Sequence, residues 1–228
     1  MKRHLRADSS YNLPIMMDTA KLFVFLTAAF LLAIAPGPGM LYVLARSLAG
    51  GKRDGALSAV GTFVGGMVHV FAAAAGVSVI LARSAAAFAA VKYAGAAYLC
   101  FLGIRMILEA HRDTGQSKDA ASTDATLPRR GPFWQGVTTE VLNPKTALFF
   151  LSFIPQFVDR RNGQIFLQFL ILGSVSVVMN TVADLVVTAL AGPLSNRIRS
   201  SATFRRRQRT ATGVIMVGLG TYLATSEK

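Results

Sequence analysis

Leu31-Leu32-Ala33-Ile34-Ala35-Pro36-Gly37-Pro38-Gly39-Met40 sets two prolines and two glycines inside an apolar run. Proline lacks a backbone donor and clashes with the carbonyl four residues before it, so Pro36 and Pro38 release the carbonyls of Leu32 and Ile34 from a helical ladder. In water such groups would simply hydrate. In a bilayer they persist only against protein or a water-filled cavity, which makes a broken apolar helix a candidate binding site.

The rest of the chain supports the bilayer reading. Of its 228 residues 53% are hydrophobic and 15% charged, against about 25% charged in soluble domains. The formal net charge of +13 comes from basic residues gathered between apolar runs. That distribution suits anchoring at an anionic membrane face better than nucleic-acid binding. Cys100 is the only cysteine, which excludes an internal disulfide and a cysteine metal cluster.

Apolar stretches long enough to cross about 30 Å of hydrocarbon occupy residues 22–43, 56–82, 88–108, 141–158 and 165–190, with a shorter sixth at 211–224. Lys2, Arg3 and Arg6 precede a polar segment, not an apolar one. The expectation is therefore an N-terminal tail over 1–21 and an uncleaved first helix, with Met16 or Met17 as alternative starts. Lys and Arg are richer in the connections after the first, third and fifth spans, above all at Arg197, Arg199, Arg205, Arg206, Arg207 and Arg209. Those connections are expected to face the cytoplasm, and the last of them to contact membrane lipid. Residues 109–131 read as a cytoplasmic linker, rich in Ser, Thr, Asp and Ala without apolar periodicity. The linker separates halves at 22–108 and 132–228. Three spans per half force opposite orientations, so the expected fold is an all-α membrane protein with six transmembrane helices arranged as two inverted three-helix repeats.

Three features interrupt the apolar pattern: Pro36-Gly37-Pro38-Gly39, Asn143-Pro144-Lys145 and Asp184. At 1.5 Å per residue they lie roughly 8, 6 and 9 Å from one common membrane side. A charge inside a span costs at least about 2.5–3.5 kcal/mol, so Asp184 is a functional candidate by default. It would be a carboxylate that takes up and releases a proton, and the competing reading is a structural ion pair with Lys145. Lys145 would pair with Asp184, bind a substrate carboxylate, or snorkel to the interface. Asn143, before Pro144, is biased to extended backbone and would line a break. His69 is either a proton relay or a neutral hydrogen-bond partner between helices, while Asn180 and Thr181 lie about one turn before Asp184 and would orient it or join helices. Glu140, at the edge of a span, is expected to be solvated. Freed carbonyls attract an ammonium and the positive end of a half-helix attracts a carboxylate. A zwitterion satisfies both. No Gly-x-Ser-x-Gly, His-Glu-x-x-His or phosphate loop is present, so an enzyme is not expected, and neither is a cofactor or a bound metal.

The chain resembles the LysE/RhtB family of lysine and homoserine/threonine exporters. The resemblance rests on Ala35-Pro36-Gly37-Pro38, on Lys92-Tyr93-Ala94-Gly95-Ala96-Ala97-Tyr98-Leu99, and on Leu142-Asn143-Pro144-Lys145-Thr146-Ala147-Leu148-Phe149-Phe150 leading to Pro155-Gln156-Phe157. It implies proton-driven export of a neutral or basic amino acid from the bacterial inner membrane. Pro36, Gly37, Pro38, Gly39, Asn143, Pro144 and Lys145 would then shape the substrate site, with Asp184 and His69 as proton-coupling candidates. Rival readings are an exporter of another small solute or a metal cation, using Asp184 and Glu140, and a non-transporting membrane subunit. Assembly into a homo-oligomer is left open.

Overall fold

A computed structural model describes residues 18–112, 131–159, 164–200 and 202–225. Most of the expected tail and linker lie outside these residues, as do the side chains of Arg197, Arg199 and Arg205. Every element is helical: α1 (Thr19–Ile34), α2 (Pro38–Arg83), α3 (Ala85–Arg112), α4 (Pro132–Val141), α5 (Pro144–Leu148), α6 (Ile165–Ser200) and α7 (Ala202–Thr225). Three stretches, Pro38–Gly76, Ala89–His111 and Ile165–Ala191, are long and apolar enough to cross a membrane, and α1 is a shorter apolar helix. Exposed Phe23, Phe71, Phe101 and Val214 are what a lipid-facing surface requires. The chain is an α-helical membrane protein.

The first apolar stretch is two half-helices. Asp18 caps α1, its carboxylate accepting from the Ala20 N–H at 3.4 Å. α1 stops because Pro36 forces Ala35 out of the helical region, to φ −71° and ψ 114°. Helical structure resumes at Pro38, whose missing N–H costs nothing at a first helical position. α2 then folds back on itself at Gly51, where φ is +76°, a value glycine adopts without penalty. Ser47 lies where a Cβ on Gly55 would sit, and Arg46 bridges Asp54 at 2.9 Å. Thr62 similarly lies 3.7 Å from a Cβ built on Gly39. These partners stand on either side of Gly51 at similar separations, so residues 38–50 and 52–83 form an antiparallel hairpin.

The fourth apolar stretch is also broken. Its helix begins earlier than hydropathy indicated, at Pro132, and α4 ends at Val141. Asn143, extended at φ −77° and ψ 107°, then caps α5 through its side-chain oxygen, which accepts from the Lys145 N–H at 3.1 Å. α5 continues as a π-helical turn, Phe149–Phe153, and a 3₁₀ turn, Ile154–Phe157. Pro155 cannot donate within a regular helix and crowds the carbonyl four residues back. The loosened turns present Phe149, Phe153 and Phe157 in succession, with ring centroids 5.1 and 4.9 Å apart, against Phe25 of α1. This aromatic column is the centre of the core.

Helix directions follow from which residues meet. Gly61 approaches Phe133 and Val137, and Gly65 approaches Val137 and Val141. Residue numbers rise together, so 52–83 and α4 are parallel, and a Cβ at Gly61 would strike the Phe133 carbonyl. Against α6 the order reverses: Gly55 meets Thr188, Gly66 meets Val177, and Val70 meets Gly173. α3 and α7 are antiparallel as well, crossing where a Cβ on Gly103 would lie 2.5 Å from the Gly213 carbonyl and the reverse. The Gly51 turn, the start of α4 and the far end of α6 therefore share one end of the bundle.

Candidate functional site

The two breaks cross, and both charged residues of the second break, Lys145 and Glu140, lie against the first. Lys145 is 7% exposed and donates from Nζ to the carbonyls of Leu32, at 2.9 Å, and Ala35, at 2.6 Å. Pro36 has no N–H to offer the Leu32 carbonyl, and Ala35 sits in the gap between helices. The ammonium thus rests on the negative end of α1. Gly37 lets it in: a Cβ there would lie 3.0 Å from Lys145 Cδ.

Glu140 holds the complementary position. Contrary to the solvated side chain expected at a span edge, it is 1% exposed. Its Oε2 accepts from Asn143 Nδ2 at 3.0 Å and its Oε1 from Thr146 Oγ1 at 2.6 Å. Oε2 also fills the space a Cβ on Gly39 would need, which sets the carboxylate against the first turn of α2, the positive end of that half-helix. Burial is tolerated because both oxygens are bonded. Proximity to the linker concealed this residue in the sequence. The available signal was a glutamate three and six residues ahead of Asn143 and Thr146, both able to donate to it.

Asp184, 2% exposed, accepts from Thr62 Oγ1 at 3.0 Å. Thr181 instead donates to its own helix, to the Val177 carbonyl at 2.9 Å. Arg46 pairs with Asp54 and Arg105 with Glu109, whereas Lys145 bonds carbonyls instead of pairing with Asp184. His69 lies against the Glu140 backbone carbonyl, 2.9 Å from Nε2. A carbonyl only accepts, so Nε2 carries the proton there. The ring stacks on Phe150 at 6.3 Å and steadies the end of α4.

Lys145, Glu140 and Asp184 line one cavity with Thr62, Ser176 and Asn180, while Ala29, Leu32, Phe149, Phe150 and Val177 supply apolar wall. Pro36, Gly37, Pro38, Gly39, Asn143, Pro144 and His69 are not among its lining residues; the prolines cause the breaks, and Gly37 and Gly39 give the clearances for Lys145 and Glu140. The space open to the centre of a water-sized sphere is about 20 Å³. That is room for roughly one water. The site is closed to a solute of amino-acid size in this conformation.

The family model of the LysE type translocator matches residues 30–227, which include both breaks and all three charged residues. The chain belongs to this family. Among LysE-type relatives, an uncharacterized membrane protein of Pseudomonas aeruginosa is 36% identical over 85% of this chain and 89% of its own. The leucine efflux protein of Salmonella typhimurium is 29% identical over 89% of this chain and 94% of its own. An uncharacterized membrane protein of Bacillus subtilis is also 29% identical, over 87% and 96%. No solved structure matches this LysE-type chain significantly.

Proposed function

We propose that this protein is a six-span inner-membrane exporter of neutral amino acids of the leucine type, driven by proton entry. The observation that carries the reading is the crossing of two broken helices around a small cavity that holds Lys145, Glu140 and Asp184. Breaks of this kind belong to transporters, where half-helix ends and freed carbonyls bind solute. The apolar wall of Leu32, Phe149, Phe150 and Val177 favours an aliphatic side chain, in keeping with the name of the Salmonella relative. Asp184 supplies a protonatable group within reach of the solute.

The inverted-repeat arrangement has support from topology. Each half runs broken helix, long helix, helix, and the pairs α2 with α6 and α3 with α7 are antiparallel. An axis in the membrane plane produces that relation. The basic connections at Gly51, before α4 and after α6 share one end, which the excess of Lys and Arg assigns to the cytoplasm. Lipid headgroups would meet Arg206, Arg207 and Arg209 there.

Counterflow of labelled L-leucine, L-threonine and L-lysine into proteoliposomes, with and without an imposed pH gradient, tests the reading. Uptake of leucine above threonine and lysine, accelerated by the gradient, is expected. No transport of any amino acid by correctly inserted protein would overturn it.

A further inference from the structure

Resting on the exporter reading above, we propose that Lys145 is a tethered stand-in for the substrate's ammonium group, and that substrate loads by exchanging with it on the carbonyls of Leu32 and Ala35. The displaced ammonium then takes the place of the proton on Asp184.

The argument starts from occupancy. The freed carbonyls of helix one are the natural seat for a substrate ammonium, and the Lys145 ammonium already sits on them at 2.9 and 2.6 Å. The first turn of α2, the natural seat for a carboxylate, already faces Glu140. Lys145 and Glu140 together present the two ends of a zwitterion, supplied by one helix of the opposite half. The cavity beside them has room for about one water, so solute and tethered ammonium cannot hold the same carbonyls.

Displacement gives Lys145 somewhere to go. The cavity it lines also contains Glu140 and Asp184. The charged groups facing Asp184 are Lys145 from α5 and Glu140 from α4; α2 offers Thr62, whose hydroxyl bonds the carboxylate, and α1 offers only Ala29, Leu32 and Ala33. His69 is engaged with the Glu140 carbonyl. An ammonium arriving beside Asp184 favours its ionised form. The proton leaves to water through the cavity as Lys145 arrives, and because the incoming zwitterion adds no net charge the site becomes one unit more negative, the new charge on Asp184 being met by the Lys145 ammonium. When substrate departs, Lys145 returns to the carbonyls and Asp184 can be protonated again. Proton and substrate thus exclude one another, the condition an antiporter must meet. The same lysine closes the empty site and couples it.

The test uses the full chain in detergent, with L-leucine as probe. Wild type should release close to one proton per leucine bound in weakly buffered solution at mildly acidic pH. Lys145→Met should bind leucine more tightly, by up to roughly tenfold, the scale of one hydrogen bond no longer competed for, and should release no proton. In proteoliposomes this variant should equilibrate leucine without responding to a pH gradient. Lys145→Gln, whose amide can still donate to a carbonyl and has no charge to bring to Asp184, should release no proton while gaining little affinity, and serves where Lys145→Met does not fold. Leucine binding weakened tenfold or more in these variants, or proton release retained, would overturn the exchange while leaving export intact. Absence of leucine binding and transport in wild type would instead refute the exporter reading.

Discussion

Replacing Glu140 by alanine tests whether this carboxylate organises the crossing of the two breaks. The side chain accepts two hydrogen bonds, from Asn143 Nδ2 and Thr146 Oγ1, at a position 1% exposed. Bonds to a charged group contribute about 1.5–3 kcal/mol each. Truncation also leaves two buried donors unpaired, and the relief of burying a charge offsets part of the loss. The net expectation is a cost of about 3 kcal/mol, or roughly 6–12 °C in Tm for a chain of this size. Glu140→Gln separates charge from geometry. Asn143 is fixed by its cap on the Lys145 N–H, so it must donate to the Gln oxygen, leaving the Gln amide to donate to the Thr146 hydroxyl. Every partner is kept, and the cost should fall to about 1 kcal/mol or less. Trp134, the only tryptophan, stands on the same helix six residues earlier. Its fluorescence during thermal denaturation in detergent reads the effect directly. A shift below about 2 °C for Glu140→Ala, or equal shifts for both variants, would refute the buried, doubly bonded carboxylate.

Three further outcomes follow from the geometry. Pro36→Ala with Pro38→Ala restores the N–H groups that a continuous helix needs, so the Leu32 carbonyl becomes occupied and Lys145 loses its seat; membrane insertion should persist while leucine counterflow falls at least tenfold. Asp184→Asn removes the exchangeable proton but keeps an acceptor for Thr62, so exchange of leucine down its own gradient should survive and uphill export under an inward proton gradient should vanish. Gly61→Val drives a side chain into the Phe133 carbonyl and the Val137 amide; overpacking of this kind costs about 1–3 kcal/mol or more, which should appear as reduced yield of folded protein on size-exclusion chromatography.

The breaks were legible because proline acts locally: Pro36 and Pro144 end a helical ladder in any context. Depth counting brought Pro38, Lys145 and Asp184 to one level for the same reason, since helical rise is independent of tertiary structure. Partner choice is a tertiary property and was not legible. The sequence identified Leu32 as a freed carbonyl without saying whose ammonium would reach it. Glu140 was misread because its distance from the water was judged along the chain, whereas α4 begins at Pro132 and carries it well into the bundle. A reversal between the spans 22–43 and 56–82 was expected, but its tightness at Gly51 was not legible, for glycine within Ala49-Gly50-Gly51-Lys52 reads as a loop of any hand until the partners across it are known.

Opening the cavity must part the same contacts that now close it. Lys145 and Glu140 both belong to the broken helix of the second half, and both rest on the ends of the broken helix of the first. Glycine contacts tie α4 along its length to residues 52–83, so these two helices are best treated as one rigid unit. α1 is joined to its continuation only through Ala35, Pro36 and Gly37. Movement of α1 against the unit of α4 and residues 52–83 therefore requires rotation about that short segment, release of the Lys145 bonds and parting of Phe25 from Phe157. A disulfide engineered between α1 and the Phe149–Phe153 turn should arrest transport when oxidised and restore it when reduced, whereas one between α4 and residues 52–83 should leave transport unchanged. Arrest by the second crosslink would show that the rigid unit was drawn wrongly.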